Sequence, residues 1–257
     1  MTTMATPLAA PMSAPSLLRR IINVVRVHIA NPWPTLVSPW LVYGVVFGLN
    51  VAIWYAVVVA AGGRENIDAV AFSSNGGVSW IYVYMMVVAI QAMNLTFSFA
   101  LGVGLTRRDY YLGTAVYFTA LAALFALGIT AFGAIESATD GWGVNGRFFA
   151  PWVVGDMAAW RQCLFHFAMM MFFFFFGSAA GSVWVRWRAV GLYLFIGSLL
   201  LMTVGLVWIA SVTGQWAAVG RFLTGHSPIY LAAWSVPVTV GAALAGYALM
   251  RRATPRD

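Results

Sequence analysis

Residues 162–213 read QCLFHFAMMMFFFFFGSAAGSVWVRWRAVGLYLFIGSLLLMTVGLVWIASVT. Two uncharged runs flank one short basic break, Arg186-Trp187-Arg188. Each run exceeds the roughly 20 residues that an α-helix needs to cross a hydrocarbon core about 30 Å thick. A central Arg or Asp would cost about 2.5 to 3.5 kcal/mol in such a helix, so the charges mark where the chain leaves the apolar phase. The same test applied outward predicts six spans, at 36–61, 79–105, 114–135, 162–185, 189–213 and 231–250, none with an acidic residue or an arginine in its interior. The predicted fold class is an all-α membrane protein with six transmembrane helices.

The whole chain carries the same signature. It is 62% hydrophobic and only 8% charged, where soluble proteins carry about 25% charged residues. Lysine is absent and all 14 basic residues are arginine, which excludes a phosphate-binding P-loop and any lysine Schiff base. Arginine without lysine also fits a bacterium with a GC-rich genome. The single Cys163 excludes an internal disulfide and a Cys-x-x-Cys pair, leaving a small packing residue. Residues 1–15 lack both a basic start and an apolar core, so they read as a disordered cytoplasmic tail instead of a secretory signal.

Arginine placement sets the predicted orientation, since basic residues near span ends are retained in the cytoplasm. Arg19, Arg20, Arg26, Arg107, Arg108, Arg186, Arg188, Arg251, Arg252 and Arg256 fall on one side. Arg64, Arg147, Arg161 and Arg221 fall on the other, among Glu65, Asp68, Glu136, Asp140 and Asp156. Both termini, including the tail 251–257, are therefore expected in the cytoplasm of a bacterial plasma membrane. Residues 16–31 place Arg19, Asn23, Arg26 and Ala30 on one helical stripe, with Leu18, Ile21, Ile22, Val25 and Ile29 opposite. This pattern predicts an amphipathic helix lying in the interface, capped by Ser16 and stopped at Asn31-Pro32-Trp33-Pro34. Gly44 with Gly48, Gly177 with Gly181, and Ala242 with Gly246 are spaced for close helix contact, within one bundle or between subunits. Pro237 is expected to kink the last span.

Few side chains could carry chemistry at membrane depth. His166 is the one ionisable residue there, and it reads as hydrogen-bonded packing. His28 and His226 fall on the interfacial helix and in an outer loop, so no metal is assigned. Ser178 and His226 faintly resemble an intramembrane serine protease pair, but they fall at different depths. Gln91, Asn94 and Ser98 share one face of the second span. They read either as interhelical hydrogen-bond glue or as the lining of a substrate path.

The gap after the second span runs Gly102-Val103-Gly104-Leu105-Thr106-Arg107-Arg108-Asp109-Tyr110-Tyr111-Leu112-Gly113. It resembles the G-x-T-R-R-x-[FY]-x-x-G segment of ABC-2 type permease subunits, the six-helix membrane halves of ATP-binding-cassette exporters. Six spans, an interfacial helix, a short fourth connection and a longer segment before the last span are similar too. The resemblance implies a type V exporter-like fold in which the interfacial helix is a connecting helix. It implies that Thr106, Arg107, Arg108, Asp109 and Tyr110, flanked by Arg19, Arg20 and Arg26, couple to a separate ATPase subunit that holds ATP and Mg. It further implies a second permease copy, identical or not, and a cargo path past Gln91, Asn94, Ser98, Ser198, Met202 and Thr203. The segment 214–230 is similar to the partly re-entrant helices that cap such cavities. The chain itself would then have no catalytic residue and no cofactor, and its contacts would be with lipid and protein, not nucleic acid. Apolar span walls fit a hydrophobic or amphipathic cargo such as a drug, antibiotic, lipid or peptide. The rival readings are a six-span scaffold or assembly factor that transports nothing, and a lone channel or ion-coupled carrier, which the missing intramembrane carboxylates disfavour.

Overall fold

A computed structural model describes residues 16–68, 70–73 and 76–252. The tails predicted at 1–15 and beyond Arg252 lie outside them. The described residues form helices and connecting turns, with five helices long and apolar enough to cross a membrane. Besides the single turn Trp152–Gly155, seven longer helices organise the described residues: α1 Leu17–Ile29, α2 Trp33–Ala60, α3 Gly77–Gly102, α4 Arg107–Ala138, α5 Ala159–Val212, α6 Trp216–Gly225 and α7 Pro228–Arg252.

Local chemistry sets the boundaries. Ser16 Oγ accepts the Arg19 N–H and caps α1, satisfying a donor that has no partner inside the helix. After the stop at Asn31-Pro32, α2 starts at Trp33, three residues before the predicted span, and its first turn is π-helical. Pro34 fits in that turn because a helix's first N–H groups need no internal partner; Pro39 lies further in and offers no N–H, and the Pro34 carbonyl accepts from the Tyr84 hydroxyl at 3.0 Å. A second π-helical turn, Ala92–Thr96, interrupts α3.

The fourth and fifth predicted spans belong to one 54-residue helix, α5. A straight helix of that length would extend about 80 Å. It is not straight: Arg188 adopts φ 56°, ψ −146°, outside the helical region. The rings of Phe176 and Phe195 lie 5.7 Å apart, although 19 residues of unbroken helix would separate them by about 28 Å. The chain therefore doubles back at Arg188 into two limbs, 159–187 and 189–212.

The core lies where α3, α4 and the first limb meet. Phe118 and Phe174 stack at 4.6 Å. A Cβ at Gly177 would run into the Met86 carbonyl oxygen, and one at Gly181 would sit 2.9 Å from the Ile90 oxygen. These glycines let two backbones touch, which is how helices associate when surrounding lipid is as apolar as the side chains. In α2, Trp40 stacks on Phe125 at 5.0 Å and lies over Gly128. Gly44 and Gly48 have nothing within 4 Å of a would-be Cβ. The expected close contact of that pair inside the bundle is thus absent, because the stripe points away from every neighbouring helix. In α7, Gly246 meets the Tyr111 hydroxyl, which donates to the Ala243 carbonyl at 2.7 Å. The helix runs on through Pro237.

The turn-rich segment after α4 is held by one acid. Glu136 is buried, and its carboxylate accepts from the backbone N–H groups of Phe148 (2.7 Å), Phe149 (3.1 Å) and Ala150 (3.0 Å) and from Trp142 Nε1 (2.9 Å). Between them the chain turns sharply, with Asp140, Trp142 and Asn145 at positive φ. Arg64 donates to the Gly143 carbonyl and to Asn145 Oδ1, tying this segment to the end of α2.

Candidate functional site

The region predicted to be a connecting loop, 106–113, is instead the start of α4. Thr106 has extended backbone angles, and its Oγ1 accepts the Asp109 N–H at 3.1 Å. Asp109 at the third helical position also meets the positive end of the helix dipole. Its buried carboxylate reaches Arg20 Nη1 of α1 at 3.1 Å. The arginine, aspartate and threonine that hydropathy alone reads as a gap thus start a 32-residue helix. No separate short helix intervenes between α3 and α4 among the described residues.

Behind that turn the packing is tight and partly polar. Tyr110 is fully buried and donates to the Ala92 carbonyl at 2.6 Å. That same carbonyl accepts the Phe97 N–H across the π-helical turn, so both of its lone pairs are used. Gly113 admits Val24 of α1, since a Cβ there would lie 2.5 Å from the Val24 Cβ. His28 of α1 stacks on Tyr117 with centroids 4.9 Å apart, and its Nε2 lies 2.9 Å from Thr114 Oγ1. Tyr117 in turn shares a 2.7 Å hydrogen bond with Thr35 of α2. Burial pushes the His28 pKa down to about 4, so the ring is neutral near pH 7.

The result is a helix with three faces. Val24 and His28 pack on α4, while Leu18, Ile22 and Ile29 are exposed and apolar. Arg19, Asn23 and Arg26 are exposed on the polar face. Such a helix fits flat in a membrane interface. Of the residues predicted to couple to a partner, Arg19, Arg26 and Arg108 are displayed, Arg107 is half-buried, Asp109 and Tyr110 are internal, and the partly exposed Arg20 is fastened to Asp109. Sequence reasoning placed Gly113 in the motif without its contact to Val24, and missed His28, Thr35, Thr114 and Tyr117 as members of this unit.

The other predicted residues are dispersed. Gln91 and Ser98 are exposed and Asn94 is half-buried. Gln91 lines a cavity of about 160 Å³ with His28 and Thr96. Ser198, Met202 and Thr203 are exposed on the second limb, with Ser198 and Thr203 bonded back to their own helix. Ser198 lines a different cavity of about 510 Å³ beside Trp187. No hydrogen bond or ring contact joins the two groups among the described residues. Ser178 is buried in the first limb, whereas His226 bonds the Phe222 carbonyl and stacks on Tyr230. The structure does not bring Ser178 and His226 together. Segment 214–230 holds the exposed helix α6.

Fold and site together define an all-helical protein whose long helices suit a membrane, with an arginine-bearing platform of α1 and α4 at one end. Neither protein-family models, nor curated proteins, nor solved structures give a match to the chain.

Proposed function

We propose that the chain is the permease subunit of an ABC-2 type exporter in a bacterial plasma membrane, paired with a second permease and driven by separate ATPase subunits. In this reading the basic end and both termini face the cytoplasm. The two limbs of α5 make the fourth and fifth of six crossings. ATP and Mg belong to the partner, because a chain without lysine has no P-loop.

The observation that carries the reading is the clamp between α1 and α4. Arg20–Asp109, Val24–Gly113 and His28–Thr114 make the two helices one unit, on which Arg19, Arg26 and Arg108 are exposed. A partner pressing there would move α4 as a lever 32 residues long. Through the Tyr110–Ala92 bond, the motion would reach α3 at its π-helical turn, next to Asn94. That turn is a natural place for α3 to bend. Cargo of apolar or amphipathic character would pass between two permeases, because Gln91 and Ser98 face outward from this one.

The test reverses charge with Arg107→Glu and Arg108→Glu together. The expected result is loss of ATPase copurification and of coupled ATP hydrolysis, with folded yield unchanged. Intact coupling in the double variant, or transport by the purified chain alone in liposomes, overturns the proposal. The scaffold reading gains if an ATPase copurifies normally yet no cargo moves.

A further inference from the structure

At the end of the bundle away from α1, the start of α3, the start of α5 and residues 151–154 enclose a cavity of about 580 Å³. That is the size of pockets that hold small organic ligands. Its walls include Val83, Val154, Phe165, Met169 and Phe173, and no Arg, Asp or Glu lines it among the described residues. Ser79, Tyr82 and His166 supply the polar side chains.

His166 is 1% exposed. Its Nδ1 lies 2.6 Å from the Tyr82 hydroxyl oxygen, and that hydroxyl has no second partner among the described residues. A phenol hydrogen in apolar surroundings has one place to go, so Tyr82 donates to Nδ1. The neutral imidazole then carries its own hydrogen on Nε2. Nε2 has no hydrogen-bond partner, although buried donors are nearly always satisfied. A carboxylate ligand would enter without a counter-charge, and an alcohol would bring a surplus donor. A carbonyl oxygen meets the need with nothing left over.

We infer that this cavity binds a neutral, largely apolar molecule through a carbonyl oxygen that accepts from His166 Nε2–H, with its body between Phe165, Met169 and Phe173. The site is separate from the α1–α4 platform and does not depend on the transport reading.

Two probes of equal carbon number separate the donor from simple apolar filling: hexanophenone and hexylbenzene, added to the full chain in lipid nanodiscs. With only three histidines in the sequence, ¹⁵N-histidine NMR resolves the His166 ring. Hexanophenone is expected to shift the Nε2 signal saturably and to bind about tenfold more tightly than hexylbenzene, the worth of one hydrogen bond. His166→Phe should abolish that preference. Val83→Trp, placed on an exposed wall residue, should weaken both probes. If His166→Phe does not fold, the paired probes on the native chain and on Val83→Trp decide. Equal affinity for the two probes would make the cavity a crevice for acyl chains and overturn the inference. An unmoved Nε2 signal, or undiminished hexanophenone binding in Val83→Trp, overturns it as well.

Discussion

The two limbs of α5 are both long apolar runs, the first rich in phenylalanine and the second in leucine, and their surroundings are opposite. In the first, Phe174 is fully buried and Gly177 and Gly181 touch the backbone of α3. In the second, Leu201 is 75% exposed, and Gly197 and Gly205 have nothing within 4 Å of a would-be Cβ. Gly191 alone is buried between residues 189 and 212 among the described side chains. In water such a surface would be untenable, but in lipid an exposed leucine costs nothing relative to a buried one, and only close packing or hydrogen bonds distinguish the two. Hydropathy therefore says that both limbs belong in a membrane and is silent about which one holds the fold together. The packed half is α1, α3, α4 and the first limb; the open half is the second limb, α6 and much of α7.

The largest effect should come from a polar fastening of the packed half. Glu136→Ala removes the acceptor of four N–H groups, three of them backbone. A buried donor left unmade costs about 1 to 3 kcal/mol, so a total loss of about 4 kcal/mol is expected. It should appear as a large fall in apparent unfolding temperature and as new protease cuts between residues 139 and 150. A small change in both would mean that water replaces the carboxylate and that this end is less closed than its geometry.

Next in size is Gly177→Leu, which drives a side chain into the Met86 carbonyl. Overpacking against backbone that cannot yield costs about 3 kcal/mol. Size-exclusion profile and thermal unfolding in detergent measure it. Native-like unfolding would show that α3 and the first limb can separate, which would dissolve the distinction between the halves.

Much of this division was hidden in the sequence for physical reasons. The long apolar helices were legible to within a few residues at most ends, because runs of about 20 uncharged residues have few alternatives. The start of α4 was not, since Arg107, Arg108 and Asp109 read as a gap in hydropathy. Its signal was the capping pattern Thr106-x-x-Asp109, the same logic that located Ser16 at α1. Gly44 with Gly48 and Gly177 with Gly181 share a spacing, and only the second pair packs. No local feature tells them apart, because the difference lies in the partner helix. In the sequence Glu136 is one acid among five on its side. Its donors arrive 12 to 14 residues later, after turns with positive φ that the sequence does not announce. His28 reads as interfacial, and its burial against Tyr117 depends on where α1 lies on α4.

A third effect depends on pH. The His28 pKa is lowered from 6.5 to about 4 by burial. Between those values the unfolded chain takes up a proton that the folded chain refuses, so stability falls as pH drops from 6.5 towards 4 and is flat above 6.5. The full displacement corresponds to about 3 kcal/mol, reached only near pH 4. His28→Asn should flatten this part of the profile of unfolding temperature against pH. A wild-type profile already flat from pH 7 to 4.5 would show that α1 lifts from α4 on protonation at little cost, which would move α1 into the open half.

The smallest effect is expected in the second limb. Gly205→Leu adds a side chain where nothing stands within 4 Å, on a helix whose neighbours in lipid are other hydrocarbon chains. The substitution also improves helix propensity by about 1 kcal/mol at most, so stability should hold or rise slightly. The comparison with Gly177→Leu is sharp because both changes place the same side chain on the same helix, 28 residues apart and on opposite sides of the Arg188 break. A strong loss of stability for Gly205→Leu would mean that this face is occupied in the particle being measured. Since no described residue stands within 4 Å of a Cβ there, a fall in oligomer mass on Gly205→Leu would identify the occupant as a second copy.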